Sequence, residues 1–241
     1  MHGKGASPDL VLNRLTLWAD RVAQNGYRVY VPVMPWSSRW DGTHQDATSA
    51  IDALVNLAAK DGKQVVVGGH SMGAMFTVIY RPQSLPPAVV GKFVNGPGHF
   101  LDMIPPSSDF WRDILPSVSR AKSLEAAGKG KEKTPFSGRD VVGGANVVVG
   151  HETTPEVYLS WHDPARLPKI ERALKETTVP VLFTVGALDP LINNNASRQT
   201  FEMIPKHPKS HFFVLDGKDH TSSFPAVLEK LMPWLQQLTA P

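Results

Sequence analysis

Val65-Val66-Val67-Gly68-Gly69-His70-Ser71-Met72-Gly73 decides how this chain is read. The run Gln64 to Gly68 has the pattern of a short, fully buried strand: β-branched, apolar and bounded by Gly62 and Gly68. Ala74 to Tyr80 is apolar enough to form a buried helix, which Pro82 would end. Between them stands G-x-S-x-G. A strand-to-helix turn this tight holds its serine in a strained backbone conformation, and the flanking glycines remove side chains that would collide with neighbouring backbone. The turn lifts the Ser71 hydroxyl clear of the sheet edge and aims the Met72 N–H towards the same point. The pentapeptide alone also suits an ordinary β-to-α loop; its setting between strand and helix favours a nucleophile.

A serine hydroxyl attacks poorly unless a base takes its proton, so a histidine and an acid are needed downstream. Asp189 follows the strand-like run Val179 to Gly186, and His220 follows another, Ser210 to Gly217. Both fall just past the carboxyl ends of strands, where open α/β sheets place their sites. Asp216 and Asp219 are rival acids, but Asp219 is adjacent to His220 and would have to fold back on its ring, so Asp189 leads. His70 should point away from Ser71 and serve packing. His162-Asp163 reads as a helix-end ion pair or hydrogen bond before a substrate contact. The nine histidines include no helical His-x-x-x-His pair beside an acid, which argues against a catalytic metal.

These segments together resemble the α/β-hydrolase superfamily over nearly the whole chain, and the Gly-His-Ser-Met-Gly elbow is similar to that of bacterial serine esterases and lipases. The resemblance implies a mostly parallel sheet with helices on both faces. It also implies a triad of Ser71, Asp189 and His220, and no cofactor. The start, His2-Gly3-Lys4-Gly5, is similar to the His-Gly oxyanion loop of that family, which implies that the Lys4 backbone N–H joins that of Met72 in holding an oxyanion. The chain departs from the family in one respect: only Met1 precedes this loop, where a central strand is expected. That strand would lie between Tyr27–Val33 and Gln64–Gly68, so the N-terminal strands look missing. The expectation is a chain that begins at an internal Met, or a gap filled by a shifted strand or by a partner chain, as in a homodimer.

At 241 residues the chain is long enough for one large core. No run approaches the roughly 20 apolar residues of a membrane span. A net charge of +3, with no reader motif, gives no case for nucleic acid. The absence of cysteine rules out a thiol nucleophile and leaves the compartment open.

Ser7-Pro8-Asp9 reads as a helix start, with Val11, Leu15, Trp18 and Val22 on one face and Gly26 at the end. Tyr27–Val33 and Val89–Asn95 read as strands, and Ala47, Ile51, Leu54 and Ala58 mark a helix face. Alternation of this kind argues a parallel sheet, with 1–98 and 168–241 forming the core. From 99 to 167 the pattern breaks. Ser107–Leu115 and Pro116–Ala127 look like two short helices, followed by the solvated loop Gly128–Lys133. The family places a helical cap here, and long insertions in compact domains tend to be lids or binding loops. A last helix starts near Ser223-Pro225, carries Leu228, Leu231, Trp234 and Leu238 inward, and should kink at Pro233.

The expected reaction is ester hydrolysis through an acyl-enzyme, on a small-molecule ester. Thioesterase, lactonase, peptidase and acyltransferase activities use the same parts, and a non-catalytic binding protein on this fold is the reading from a different class. A serine at the elbow argues against dehalogenase and epoxide hydrolase chemistry, which would need an Asp nucleophile.

Overall fold

The computed structural model describes residues 1–6, 15–38, 40–60, 63–81, 88–98, 100–142, 145–191 and 194–239. The proposed helix start at Ser7-Pro8-Asp9, Val11, Gly62 and Pro82 lie outside them. Helix α1 (Thr16–Ala23) and helix α2 (His44–Ala58) precede the first strand, β1 (Val65–His70). Helix α3 (Met72–Ile79) leads on to β2 (Val89–Asn95). The insertion then contributes helix α4 (Asp109–Ala126), an antiparallel hairpin of β3 (Thr134–Val142) and β4 (Ala145–Thr153), and helix α5 (Pro155–His162). Helix α6 (Ile170–Lys175), β5 (Val181–Gly186), helix α7 (Asn194–Glu202), β6 (His211–Leu215), helix α8 (Ser223–Ala226) and helix α9 (Leu228–Thr239) complete the order.

The four parallel strands lie in the order β1-β2-β5-β6. Alternation along each strand sends neighbours to opposite faces. Phe93 and Leu182 pack with Trp18, Val22, Leu231 and Trp234 on one side. Val94 and Phe183 pack with Trp36, Ile51, Val55 and Phe76 on the other. Both faces are therefore covered, as the β-branched runs require. Helix α2 begins with a capping box in which the Thr43 hydroxyl accepts from Asp46 N–H and the Asp46 carboxylate accepts from Thr43 N–H.

Four expectations need correction. Tyr27–Val33 forms no strand. A strand needs a ladder partner, and an apolar trough of about 1080 Å³ separates this segment from the free side of β1. The trough also explains why β1, expected to be fully buried, is mostly half-buried. At its end Met1 pairs with β1: its amine donates to the Gly68 carbonyl at 2.6 Å and its carbonyl accepts from His70 N–H at 3.1 Å.

The second correction concerns Pro116, which does not divide two helices but lies inside α4. Loss of one backbone hydrogen bond is outweighed by the buried face of Trp111, Ile114, Val118 and Ala121. Third, the insertion is not purely helical, because it carries the β3–β4 hairpin after the exposed lysine loop. Finally, the terminal helix is two elements, α8 and α9, with Val227 between them and Pro233 inside the second.

The insertion packs on the loops beside the start of the sheet. Thr153 donates its hydroxyl proton to the Trp40 carbonyl at 2.6 Å, and the Trp161 indole N–H donates to the Gly42 carbonyl at 2.9 Å.

Candidate active site

Ser71 sits between β1 and α3 with φ 55° and ψ −118°, a left-handed conformation that a non-glycine residue adopts only when its surroundings enforce it. The flanking glycines do so. A Cβ on Gly69 would lie 2.2 Å from the Gly73 carbonyl, and one on Gly73 would lie 2.6 Å from the Met1 carbonyl oxygen. The sequence needs glycine at both places, so that the turn can close and the N-terminal segment can cross it. Met72 is the first residue of α3, where a backbone N–H has no intrahelical acceptor.

The N-terminal loop lies against the serine. A Cβ on Gly3 would stand 3.1 Å from Ser71 Cβ and 3.6 Å from its Oγ. Three hydrogen bonds hold the loop: His2 Nε2 accepts from Met34 N–H at 2.9 Å, the His2 carbonyl accepts from the Trp36 indole N–H at 3.0 Å, and Gly5 N–H donates to the Trp36 carbonyl at 3.0 Å. The Lys4 side chain turns into the insertion instead. Its ammonium donates to the Arg139 carbonyl and lies 3.8 Å from Asp140, while burial pulls its pKa down to about 8 against the pull of Asp140.

Asp189 and His220 meet beyond the carboxyl ends of β5 and β6. His220 Nδ1–H donates to Asp189 Oδ2 at 2.8 Å, and both side chains are almost wholly buried. Asp189 Oδ1 accepts from Leu191 N–H at 2.9 Å, so both carboxylate oxygens have donors. With its proton on Nδ1, His220 presents a lone pair at Nε2. Ser71 is itself only 8 % exposed. The rival acids serve elsewhere: Asp216 is exposed, and Asp219 accepts from Ser222 N–H and its hydroxyl, both at 2.7 Å.

His70 is not simply a packing residue. Its ring centroid stands 4.7 Å from that of His220, and its Nδ1 bonds to Asn95 Oδ1 at 2.7 Å. Burial, reinforced by His220, pushes its pKa down to about 3, so the ring stays neutral beside His220. Sequence reasoning passed over Asn95, although an asparagine at the end of a buried apolar strand, just before Gly96-Pro97-Gly98, was a readable signal. The pair His162-Asp163 behaves as expected of a helix end: Asp163 accepts from Lys122 at 2.9 Å and lies 3.5 Å from Arg166. Among the described residues, no three His, Cys, Asp or Glu side chains converge as metal ligands, and no helix is long and apolar enough to cross a membrane.

A serine held in a strained strand-to-helix turn, a buried Asp–His pair and a glycine loop against the serine thus lie at the carboxyl end of a parallel sheet. Comparison with known proteins agrees with this architecture. The monoacylglycerol lipase of Paleococcus ferrophilus superposes with a TM-score of 0.68 at 18% identity, covering 99% of this chain and 93% of the lipase. A soluble variant of the monoglyceride lipase of Saccharomyces cerevisiae gives 0.65 at 16% identity, covering 100% and 86%. An esterase of Pyrococcus furiosus gives 0.62 at 14% identity, covering 100% and 80%. At these identities the likeness establishes the fold. No curated protein matches the sequence. The family model described as serine aminopeptidase, S33, matches residues 12–223, which is most of the chain. The chain belongs to this serine aminopeptidase S33 family and has the α/β-hydrolase fold.

Proposed function

We propose that the protein is a serine hydrolase that cleaves carboxylic esters through an acyl-enzyme. The observation that carries this reading is the buried 2.8 Å contact of His220 with Asp189, at the same end of the sheet as a serine held at φ 55°. Ser71 Oγ attacks the ester carbonyl as His220 Nε2 takes its proton, and His220 then protonates the leaving alcohol. Water repeats the cycle on the acyl-enzyme. Asp189 holds the imidazole tautomer and stabilises the imidazolium. The N–H groups of Met72 and Lys4 hold the oxyanion, where loss of one donor typically costs about 10²–10³ in kcat. No cofactor enters these steps, and residues 99–167 serve as the cap that shapes the acyl and alcohol sites.

The family's description points to peptides, whereas the similar structures are lipases and an esterase. Recognition of a peptide amino terminus calls for a carboxylate free to meet an ammonium. Asp140 and Asp189, which stand beside the glycine loop and the histidine, are instead engaged by Lys4 and His220. This favours esters.

A fluorophosphonate probe tests the nucleophile. The expected result is a single covalent adduct mapping to Ser71 in the peptide digest, absent from Ser71→Ala. A folded protein that stays unlabelled, or that is labelled elsewhere, overturns the proposal.

A further inference from the structure

We propose that Asn95 is the positioning residue that ties the nucleophile elbow, the acid-bearing strand and the histidine loop to one another. The inference rests on the proposed role of Ser71 and deepens it. Asn95 ends β2, is fully buried, and reaches every element that carries a triad member. Its carbonyl accepts from Ser71 N–H at 3.0 Å. Its Oδ1 accepts from His70 Nδ1–H at 2.7 Å, holding the residue that precedes the nucleophile. Its Nδ2 donates to Thr184 Oγ1 at 2.9 Å, on the strand that leads to Asp189. The Ser223 hydroxyl lies 3.4 Å from the same Oδ1 and donates to the His220 carbonyl at 2.9 Å. The next residue, Gly96, passes so close to the pair that a Cβ there would lie 3.4 Å from both Asp189 Oδ2 and His220 Nδ1.

A buried amide is retained only where its polar atoms are matched, because an unpaired one costs about 1–3 kcal/mol. Fold stability alone would be served by an apolar residue in this strand. An amide at its carboxyl end instead fixes three separate backbone segments in mutual register. Acyl transfer needs that register, since a displacement of about 1 Å can cost 10²-fold in rate. The His70 ring, clamped by Oδ1, forms a neutral wall 4.7 Å from the His220 ring and limits where that ring can turn.

The test compares Asn95→Ala, Ser223→Ala, Thr184→Val and the Asn95→Ala/Ser223→Ala double variant in ester hydrolysis. Rates are normalised to sites titrated with the fluorophosphonate probe, so misfolded protein is not counted. Asn95→Ala is expected to lose about 10–100-fold in kcat with KM within about threefold. Ser223→Ala should lose severalfold, and the double variant should be no slower than Asn95→Ala within about threefold, because contacts in one network do not add. Unchanged kcat per titrated site, with only thermal stability lowered, overturns the inference, as do losses that multiply. If Asn95→Ala does not fold, Ser223→Ala and Thr184→Val decide: severalfold loss in both supports the inference, and full kcat in both overturns it. Wild-type protein that neither labels nor turns over esters would instead sink the proposed function.

Discussion

Replacing Asp189 with asparagine is expected to lower kcat for ester hydrolysis by about 10⁴-fold while leaving KM within a few-fold. The carboxylate can only accept, so it forces the His220 proton onto Nδ1 and leaves Nε2 free to take the serine proton. An amide in its place can donate to Nδ1. That stabilises the opposite tautomer, in which Nε2 already carries hydrogen and cannot act as a base. It also leaves the imidazolium formed during attack without its counter-charge. Asp219→Asn is the control. Its carboxylate serves Ser222 in a local turn, and an asparagine oxygen can still accept there, so kcat should stay within about threefold. Steady-state kinetics of both variants decide the matter. An active Asp189→Asn beside a crippled Asp219→Asn would assign the acid to the wrong strand.

The protein is also expected to lose stability steeply as the pH falls from about 6.5 to about 4. Burial holds the imidazoles of His2, His44 and His151 down to about 4 and that of His70 to about 3, and with help from Lys4 it holds that of His162 well below its ordinary value. Unfolding restores their ordinary affinity for protons near pH 6.5. Between about 4 and 6.5 the unfolded chain therefore binds more protons than the native one, and stability falls as pH falls. For His2 and His151, both almost fully covered, the shift corresponds to about 3 kcal/mol each. Against a total of roughly 5–15 kcal/mol, two such groups already consume much of the margin. His151 is the informative site, because its Nε2 has no hydrogen-bond partner among the described residues while its ring lies 4.6 Å from Trp40. Urea unfolding at pH 7 and pH 5 should show His151→Leu losing less stability over that interval than the wild type. Equal losses, or a wild type equally stable at both values, would contradict the assignment of buried neutral histidines.

The parts of the site that depend on local geometry were legible in the sequence. Ser71 stands out as a candidate because a tight strand-to-helix turn demands glycine at fixed offsets, and the distances at Gly69 and Gly73 give the reason in atoms. The sequence favours Asp189 over Asp219 because an adjacent residue cannot comfortably fold back on an imidazole, and Asp219 is taken up by Ser222. What depends on long-range pairing was less readable. Tyr27–Val33 has strand composition, but composition does not supply a neighbour, and the trough at β1 leaves it unpaired. The β3–β4 hairpin was hidden by Pro135, Gly138, Arg139 and Asp140, which spoil the alternation of the first strand. Its readable trace was Gly143-Gly144 between Val141-Val142 and the valines at 147–149. Asn95 escaped notice because its function lies in contacts to residues 25, 89 and 128 positions away. The Lys4 side chain, engaged with Arg139 and Asp140, is a tertiary contact of the same kind.

The most direct test of the central claim is hydrolysis of p-nitrophenyl esters from acetate to palmitate by the native protein and by Ser71→Ala. The expected result is turnover by the native protein, with an initial burst of p-nitrophenol where deacylation is slow and a chain-length optimum that sizes the acyl site. Ser71→Ala should fall by at least about 10⁴-fold. Equal rates in the two proteins, or no turnover of any ester by a folded native sample, would contradict a Ser71-centred esterase.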